Sequence, residues 1–213
     1  MKPCDIALND IWLSESGWLR ESIYISVPQP QFETVIVPGR SSPVRFATNS
    51  FEPRTIEAVL TMLGKRSRFD IMVASFMNAY LGKTARIKDS EWPYFYYVGT
   101  IQAEAEYDPL SGKGVLKIIA EDCDAYRYAS EETSISITGS GTVYLSNGYM
   151  PVVPTITLTA STMLSWTKGG DSFSKTLSAG TWQIPELELE EGNNTVTVSG
   201  SGRTTFRYRE GQL

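Results

Sequence analysis

The sequence predicts a mainly β protein with one helix, arranged as an N-terminal β-rich domain and a C-terminal β-sandwich. Three observations carry that reading. Runs of alternating β-branched residues recur along the chain between Gly, Pro and Asn turn signals. One clear stretch shows helical spacing. The composition changes near residue 130: residues 1–133 hold 14 basic and 18 acidic side chains, whereas 134–185 holds only Lys168, Asp171 and Lys175 among Ser, Thr and Gly. The domains are therefore drawn as 1–130 and 131–213, joined through the small polar stretch Ala129-Ser130-Glu131-Glu132-Thr133. At 213 residues and 23.6 kDa, the chain is long enough to bury a core without metal or disulfide staples.

In the first domain, residues 22–27 place Ile23, Ile25 and Val27 on one face, and 32–37 is β-branched and bounded by Pro30 and Pro38. Both read as strands. Pro28, Pro30, Pro38 and Pro43, with Gly39 and Arg40, make the surrounding segment an exposed arm rather than a compact hairpin, because proline donates nothing to a central ladder. Residues 54–63 fit two periods: Ile56, Val59, Leu60 and Leu63 suit a helix, while Ile56, Ala58, Leu60 and Met62 suit a strand. The spacing of Phe69, Met72, Val73, Phe76, Met77, Tyr80 and Leu81 predicts a helix over 68–81, with Ser67 as N-cap and Gly82 as C-cap. A hairpin follows, in which Ile101, Ala103, Ala105 and Tyr107 oppose Gln102, Glu104 and Glu106. Asp108-Pro109-Leu110-Ser111-Gly112 is its turn and 115–120 its second strand.

The second domain reads as eight short strands, 134–137, 142–145, 155–159, 164–167, 172–177, 181–184, 195–199 and 204–208. Asn147-Gly148, Gly169-Gly170-Asp171, Gly192-Asn193-Asn194 and Gly200-Ser201-Gly202 separate them. Short strands at regular spacing without helix indicate a sandwich.

There is no histidine. That removes Ser-His-Asp and Cys-His nucleophilic catalysis, His-based metal sites and imidazole switching. A net charge of -5 argues against a phosphate backbone or an anionic membrane as partner. Lys65, Arg66 and Arg68, the tightest basic cluster, read as a solvated helix entry. No signal peptide is expected in the first twenty residues, which carry Asp5, Asp10, Glu15 and Arg20. Residues 133–167 are uncharged but too rich in Ser, Thr and Gly to span lipid. Cys4 and Cys123 lack Cys-x-x-Cys spacing and read as reduced thiols, with their pairing left open.

No residue is assigned to catalysis, a metal or a cofactor. Leu81-Gly82-Lys83-Thr84 copies the tail of a phosphate loop, but Met77 stands where its first glycine belongs. Glu104 with Glu106, and Glu186, Glu188 and Glu190, have the spacing of paired carboxylates; strand alternation explains them as a solvated face. Glu121-Asp122-Cys123-Asp124 lacks the glycine and distal glutamate of a calcium loop. Trp92-Pro93-Tyr94-Phe95-Tyr96-Tyr97 holds too many rings for one strand face, so some lie outside the core or against a partner. Trp166 and Trp182 either fill the sandwich core or stack on a saccharide.

The order of these features resembles the distal tail protein family of siphophages. The resemblance rests on the helix ending Tyr80-Leu81-Gly82, the loop into Trp92–Tyr97, the hairpin over 98–121 and the closing Glu121-Asp122-Cys123-Asp124-Ala125-Tyr126-Arg127-Tyr128. It continues through Asn147-Gly148 with Pro151 and Pro154, Ile184-Pro185-Glu186-Leu187, Gly192-Asn193-Asn194 and Tyr208-Arg209-Glu210-Gly211-Gln212-Leu213. Asp124-Ala125 stands where the family often has Asp-Pro. The resemblance implies a structural virion protein, assembled in the host cytoplasm, whose first domain forms a homo-hexameric ring continuing the tail tube. Its implied partners are the tail-tube protein, the tip hub protein and receptor-binding proteins, the last held by a galectin-like second domain that in some members contacts host saccharide. Ring contacts are then expected at Pro28, Pro30, Pro38, Arg40 and Pro43 of the arm and at Trp92, Tyr94 and Tyr96. Saccharide contact, if made, is expected at Trp166 and Trp182.

Overall fold

The computed structural model describes residues 4–213, with Asn49 by its backbone alone. The chain divides into two compact units between Arg127 and Tyr128. The first contains β1 (Ile6–Leu8), β2 (Ile11–Trp12), a 3-10 turn over Leu13–Ser16, β3 (Leu19–Ile25), β4 (Pro30–Val35), β5 (Val44–Phe51) and β6 (Arg54–Leu63). Helix α1 (Arg66–Tyr80), β7 (Thr84–Asp89), β8 (Phe95–Thr100), β9 (Gln102–Asp108) and β10 (Lys113–Cys123) follow. Two antiparallel layers result, β2-β1-β7-β8 and β3-β6-β10-β9, while β4 and β5 pair only with each other. Ile6, Leu8 and Ile87 from one layer, Ile56, Leu60, Leu116 and Ile118 from the other, and Phe69 and Phe76 from α1 share a single core.

The segment left open between helix and strand is a strand. Pairing with β10 places Ile56, Ala58, Leu60 and Met62 on the buried side and leaves Val59 and Leu63 outside it. In β3, Arg20 faces Leu60 and Ser22 faces Val59, so Glu21 is an extra residue and the strand bulges there. The strand accordingly ends at Ile25, and Val27 is exposed rather than on the core face.

Helix α1 starts two residues earlier than its periodicity suggests and ends at Tyr80. Ser67 lies inside its first turn. The cap is Lys65, whose carbonyl accepts from the amides of Arg68 and Phe69 at 3.0 and 3.2 Å. At the other end, Leu81 is the C-cap and Gly82 follows at φ +71°. The Lys83 ammonium then donates to the carbonyls of Asn78 and Ala79 at 2.8 and 2.9 Å, satisfying acceptors the helix leaves open. The lysine that mimics a phosphate loop is thus a helix-terminus cap.

The arm is exposed as expected, but it is a two-stranded hairpin whose register shifts between Pro30 and Phe32. Its prolines take nothing from the ladder: Pro30 opens β4 opposite Phe51, and Pro38 and Pro43 fall in the tip. In the β9–β10 turn, the Asp108 carboxylate accepts from the Leu110 amide and the Ser111 hydroxyl at 2.9 and 2.5 Å. Those bonds hold its pKa below the ordinary carboxylate value.

The boundary falls inside β11 (Arg127–Ala129), and the second unit continues through β12 (Thr133–Thr138), β13 (Gly141–Asn147), β14 (Thr155–Leu158), β15 (Thr162–Lys168) and β16 (Asp171–Leu177). Then come β17 (Gly180–Gln183), β18 (Gly192–Gly200), β19 (Arg203–Tyr208) and β20 (Gly211–Gln212). All eight expected strands are present, as the sheets β12-β19-β14-β17 and β13-β18-β15-β16. Val143, Leu145, Leu164, Trp166, Val196, Val198, Ile156 and Phe206 form their common core. Gly192-Asn193-Asn194 is the start of β18 rather than a turn, pairing with Leu145–Asn147. The Asn194 amide instead bonds the Glu190 backbone on both sides, at 2.9 and 2.8 Å, which shifts the turn upstream.

Cys4 is exposed and Cys123 buried, and both are free. Burial pushes the Cys123 thiol up to about 12, with Asp122 and Asp124 adding to the shift. Unfolded, that thiol ionises near about 8.5, so the folded state keeps a proton the unfolded state loses, and stability falls as pH rises above that value. Thiol alkylation of the native protein is expected to stop at one equivalent, on Cys4, with Cys123 labelled only in denaturant; mass spectrometry reads both. In the same core, a Cβ at Gly114 would lie 2.2 Å from Cδ2 of Phe69. Gly114→Ala should lower unfolding free energy by about 1–3 kcal/mol in urea titration.

Candidate interaction site

Between β7 and β8 the chain must reverse while presenting Trp92, Pro93 and Tyr94, and an ionic base makes that possible. Arg20 from β3 and Asp89 from β7 pair at 2.5 Å, with both side chains almost wholly buried. The second guanidinium nitrogen reaches Glu91 at 3.0 Å. Burial pulls the Arg20 pKa down, but bonds to Asp89 and the charges of Asp89 and Glu91 hold it above its ordinary value. Asp89 also accepts from the Glu91 amide at 2.9 Å, and its carbonyl from the Trp92 amide at 3.0 Å. Beside it, Asp5 and Ser90 exchange bonds of 2.7 and 3.1 Å.

The turn therefore stands on fixed supports, leaving Trp92 and Tyr94 58% and 77% exposed. The Arg127 guanidinium lies 5.4 Å from the Trp92 ring centroid and 4.7 Å from that of Phe95, a cation–π arrangement that pins the turn's outer side. Tyr96 does not join this surface. It lies in β8 rather than in the turn and is buried with Arg86 over its ring, so only two of the three expected rings are exposed.

The hairpin β4–β5 is the second exposed element of this unit. Pro30, Pro38, Arg40 and Pro43 are exposed and Pro28 half-buried. Sequence reasoning missed the hydrophobic side chains it displays: Phe32, Val35, Ile36 and Phe46 lie in solvent. It missed also that Leu19, Leu63 and Leu110 are exposed at one end of the β3-β6-β10-β9 sheet. The cue was Leu110 inside an Asp-Pro-x-Ser-Gly turn, where an apolar residue has no core to enter.

The carboxylate pairs lie at the surface, where Glu186 and Glu188 are ion-paired. Lys117 stands between Glu57, at 2.8 Å, and its cross-strand neighbour Glu104. Leu187 and Leu189 point into the sandwich while Glu188 and Glu186 take Lys168 and Lys175, at 2.7 and 3.8 Å. Asp122 accepts from the amide and hydroxyl of Thr100, at 2.8 and 2.7 Å, which lowers its pKa.

The two tryptophans of the second unit do not form one platform. Trp166 is 7% exposed, stacks on Phe173 at 5.7 Å and donates to the Glu186 carbonyl, so it belongs to the core. Trp182 is 37% exposed on edge strand β17 of the other sheet and donates to the Ser178 carbonyl. No helix among the described residues is long and apolar enough to cross a membrane.

No protein-family model matches the sequence, and no curated protein does. A solved structure does. The chain superimposes on the crystal structure of the phage SPP1 Dit protein, a paradigm of the hub adsorption apparatus in phages that infect Gram-positive hosts, with a TM-score of 0.70 at 16% identity, covering 100% of both chains. The likeness shows that the chain has the fold of that phage distal tail protein.

If the buried pair holds the aromatic turn, Asp89→Asn should cost about 3 kcal/mol, the lower end for breaking a buried ion pair, because Glu91 stays beside Arg20. Urea unfolding measures that cost, and loss of near-ultraviolet circular dichroism from Trp92 would report the loosened turn.

Proposed function

We propose that this chain is a structural virion protein of a long-tailed phage or prophage, assembled in the host cytoplasm. Six copies form a ring at the distal end of the tail, joining the tail tube to the tip or baseplate. The observation that carries this reading is the likeness to the SPP1 hub protein over the full length of both chains. The physical features of the first unit support it. A cyclic ring needs two different complementary patches on each copy. The chain offers two of unlike character: an exposed hairpin with a hydrophobic surface, and a braced turn displaying Trp92 and Tyr94.

In this reading the first unit also meets the tail-tube and tip hub proteins. The sandwich is left to hold receptor-binding or other baseplate proteins. The role in this reading is structural rather than catalytic, and Glu186 and Glu188 of the carboxylate series are engaged by Lys175 and Lys168.

Light scattering after gel filtration is expected to give about 142 kDa, six times 23.6 kDa, with six-fold rings and a central hole in negative stain. Removing residues 36–43, or replacing Trp92 and Tyr94 by Ala, should shift the protein to a folded monomer, with the far-ultraviolet circular dichroism of a β protein retained and the thermal midpoint lowered by the loss of subunit contacts. A chain that stays monomeric when co-expressed with its tail-tube protein counts against the ring.

A further inference from the structure

An asparagine followed by glycine is the dipeptide most open to attack on its side-chain amide by the next main-chain nitrogen, because glycine puts no Cβ in the way. This chain holds one, Asn147-Gly148; Asn9, Asn49, Asn78, Asn193 and Asn194 each precede a residue with a Cβ. Asn147 ends β13 opposite Gly192 of β18 and is only 4% exposed. Its Nδ2 donates to the carbonyls of Met150 and Leu189, at 2.8 and 3.2 Å. Its Oδ1 is buried and, among the described residues, has no hydrogen-bond partner. The Leu189 carbonyl also accepts from the Val152 amide at 3.2 Å, so one side chain joins the strand end to the loop 148–151 and to the Val152–Leu189 bridge beyond it. The residue before it is held as well, since the Tyr208 hydroxyl donates to the Ser146 carbonyl.

We propose that Asn147 is a site of spontaneous deamidation that is closed while the second unit is folded, is exposed when that unit opens, and once used prevents the unit from closing again. In the reaction the Gly148 nitrogen gives its proton to a solvent base and bonds to the carboxamide carbon of Asn147. The bond from that carbon to Nδ2 breaks, and ammonia leaves with a proton taken from solvent. Water then opens the cyclic imide at either carbonyl, leaving aspartate or isoaspartate. In the folded chain the carboxamide is not free to swing toward Gly148, because doing so breaks both bonds of Nδ2 and leaves their carbonyls without that donor. The products do not fit back. Aspartate sets a carboxylate oxygen against the same two carbonyls, acceptor against acceptor, in a place closed to water. Another carboxylate already stands near, with Oε2 of Glu210 3.2 Å from where a Cβ of Gly148 would be. Isoaspartate lengthens the main chain by one atom at the point where Asn147 keeps register with Gly192. The device is one-way: a chain that folds promptly keeps its asparagine, and one whose second unit lies open loses it and stays open. It goes beyond the ring reading and lies wholly in the second unit, so its failure leaves the oligomer mass of intact chains untouched.

The test holds the full chain for several days in mildly alkaline buffer, with and without unfolding urea, and follows each asparagine by peptide mapping and mass spectrometry. Without urea Asn147 should keep its amide. In urea it should deamidate about tenfold or more faster, as expected of a site protected by folding, and ahead of Asn193 and Asn194. Gly148→Ala, compared in urea where folding does not enter, should slow it. Asn147→Asp, which builds one product directly, should lower the thermal midpoint or yield no folded second unit. Equal rates with and without urea overturn the proposal, as does a rate in urea no faster than that of Asn193, a Gly148→Ala rate equal to that of the parent chain, or an unchanged midpoint in Asn147→Asp.

Discussion

Phe69 lies against Gly114 as no other residue would allow: Cδ2, Cε2 and Cγ of the ring come within 2.2 to 3.0 Å of where a Cβ would be. Much of the first unit follows from that contact. A four-stranded sheet with Ile56, Leu60, Leu116 and Ile118 on one face must be covered, and α1 is the only helix among the described residues that extends beyond a single 3-10 turn. Trp18 meets the Phe69 ring edge-on at 6.2 Å and Tyr107 meets it at 5.5 Å, so the helix is keyed to the sheet by a three-ring cluster over one missing side chain. The Tyr107 hydroxyl then donates to the Gly64 carbonyl at 2.8 Å, tying the last inward residue of β9 to the link that feeds the helix.

Charge does comparable work at the opposite end of the layers. Asp5 accepts from the amides of Ile6 and Ser14 and from the Ser14 hydroxyl, which anchors the start of β1 beside the aromatic turn. Arg54, buried without a carboxylate, donates instead to the carbonyls of Ala125 and Ser26 at 2.6 and 3.1 Å and lies over the Tyr97 ring. Burial lowers its pKa, yet a guanidinium stays protonated, so carbonyl dipoles and a ring face are enough to hold it inside. Two layers are thus joined by hydrophobic packing in the middle and by buried cations at the margin.

What was legible in the sequence follows how local each determinant is. The eight sandwich strands could be read because one face is buried and the other solvated, so alternation and turn residues sit side by side in the chain. The segment 54–63 could not be resolved, since both of its apolar stripes are real and only pairing with β10 and β3 chooses between them. β1 was missed because Ile6, Ala7 and Leu8 are all buried and show no alternation. Its turn to β2 uses Asn9 and Asp10 with φ of 51° and 68°, a pattern that favours Asn and Asp but lacks the glycine that would have flagged it. At the candidate interface, crowding of rings was visible. Which of them face outward depended on Arg20, sixty-nine residues before Asp89, and no local pattern encodes that.

The bulge at Glu21 gives β3 two phases. Before it, the strand must turn Arg20 inward to reach Asp89; after it, Ile23 and Ile25 must face the same core. Three residues separate Arg20 from Ile23, an odd interval that a regular strand with a period of two would place on opposite faces. The extra residue reconciles them. It follows that this strand is sensitive to length more than to identity: Glu21 makes only an exposed ion pair with Lys113, at 2.9 Å, but losing one residue there forces the chain to surrender either its ionic anchor or its isoleucines. Insertions and deletions in related chains should therefore avoid residues 20–23 and collect in the tip of the β4–β5 hairpin, where no phase has to be kept.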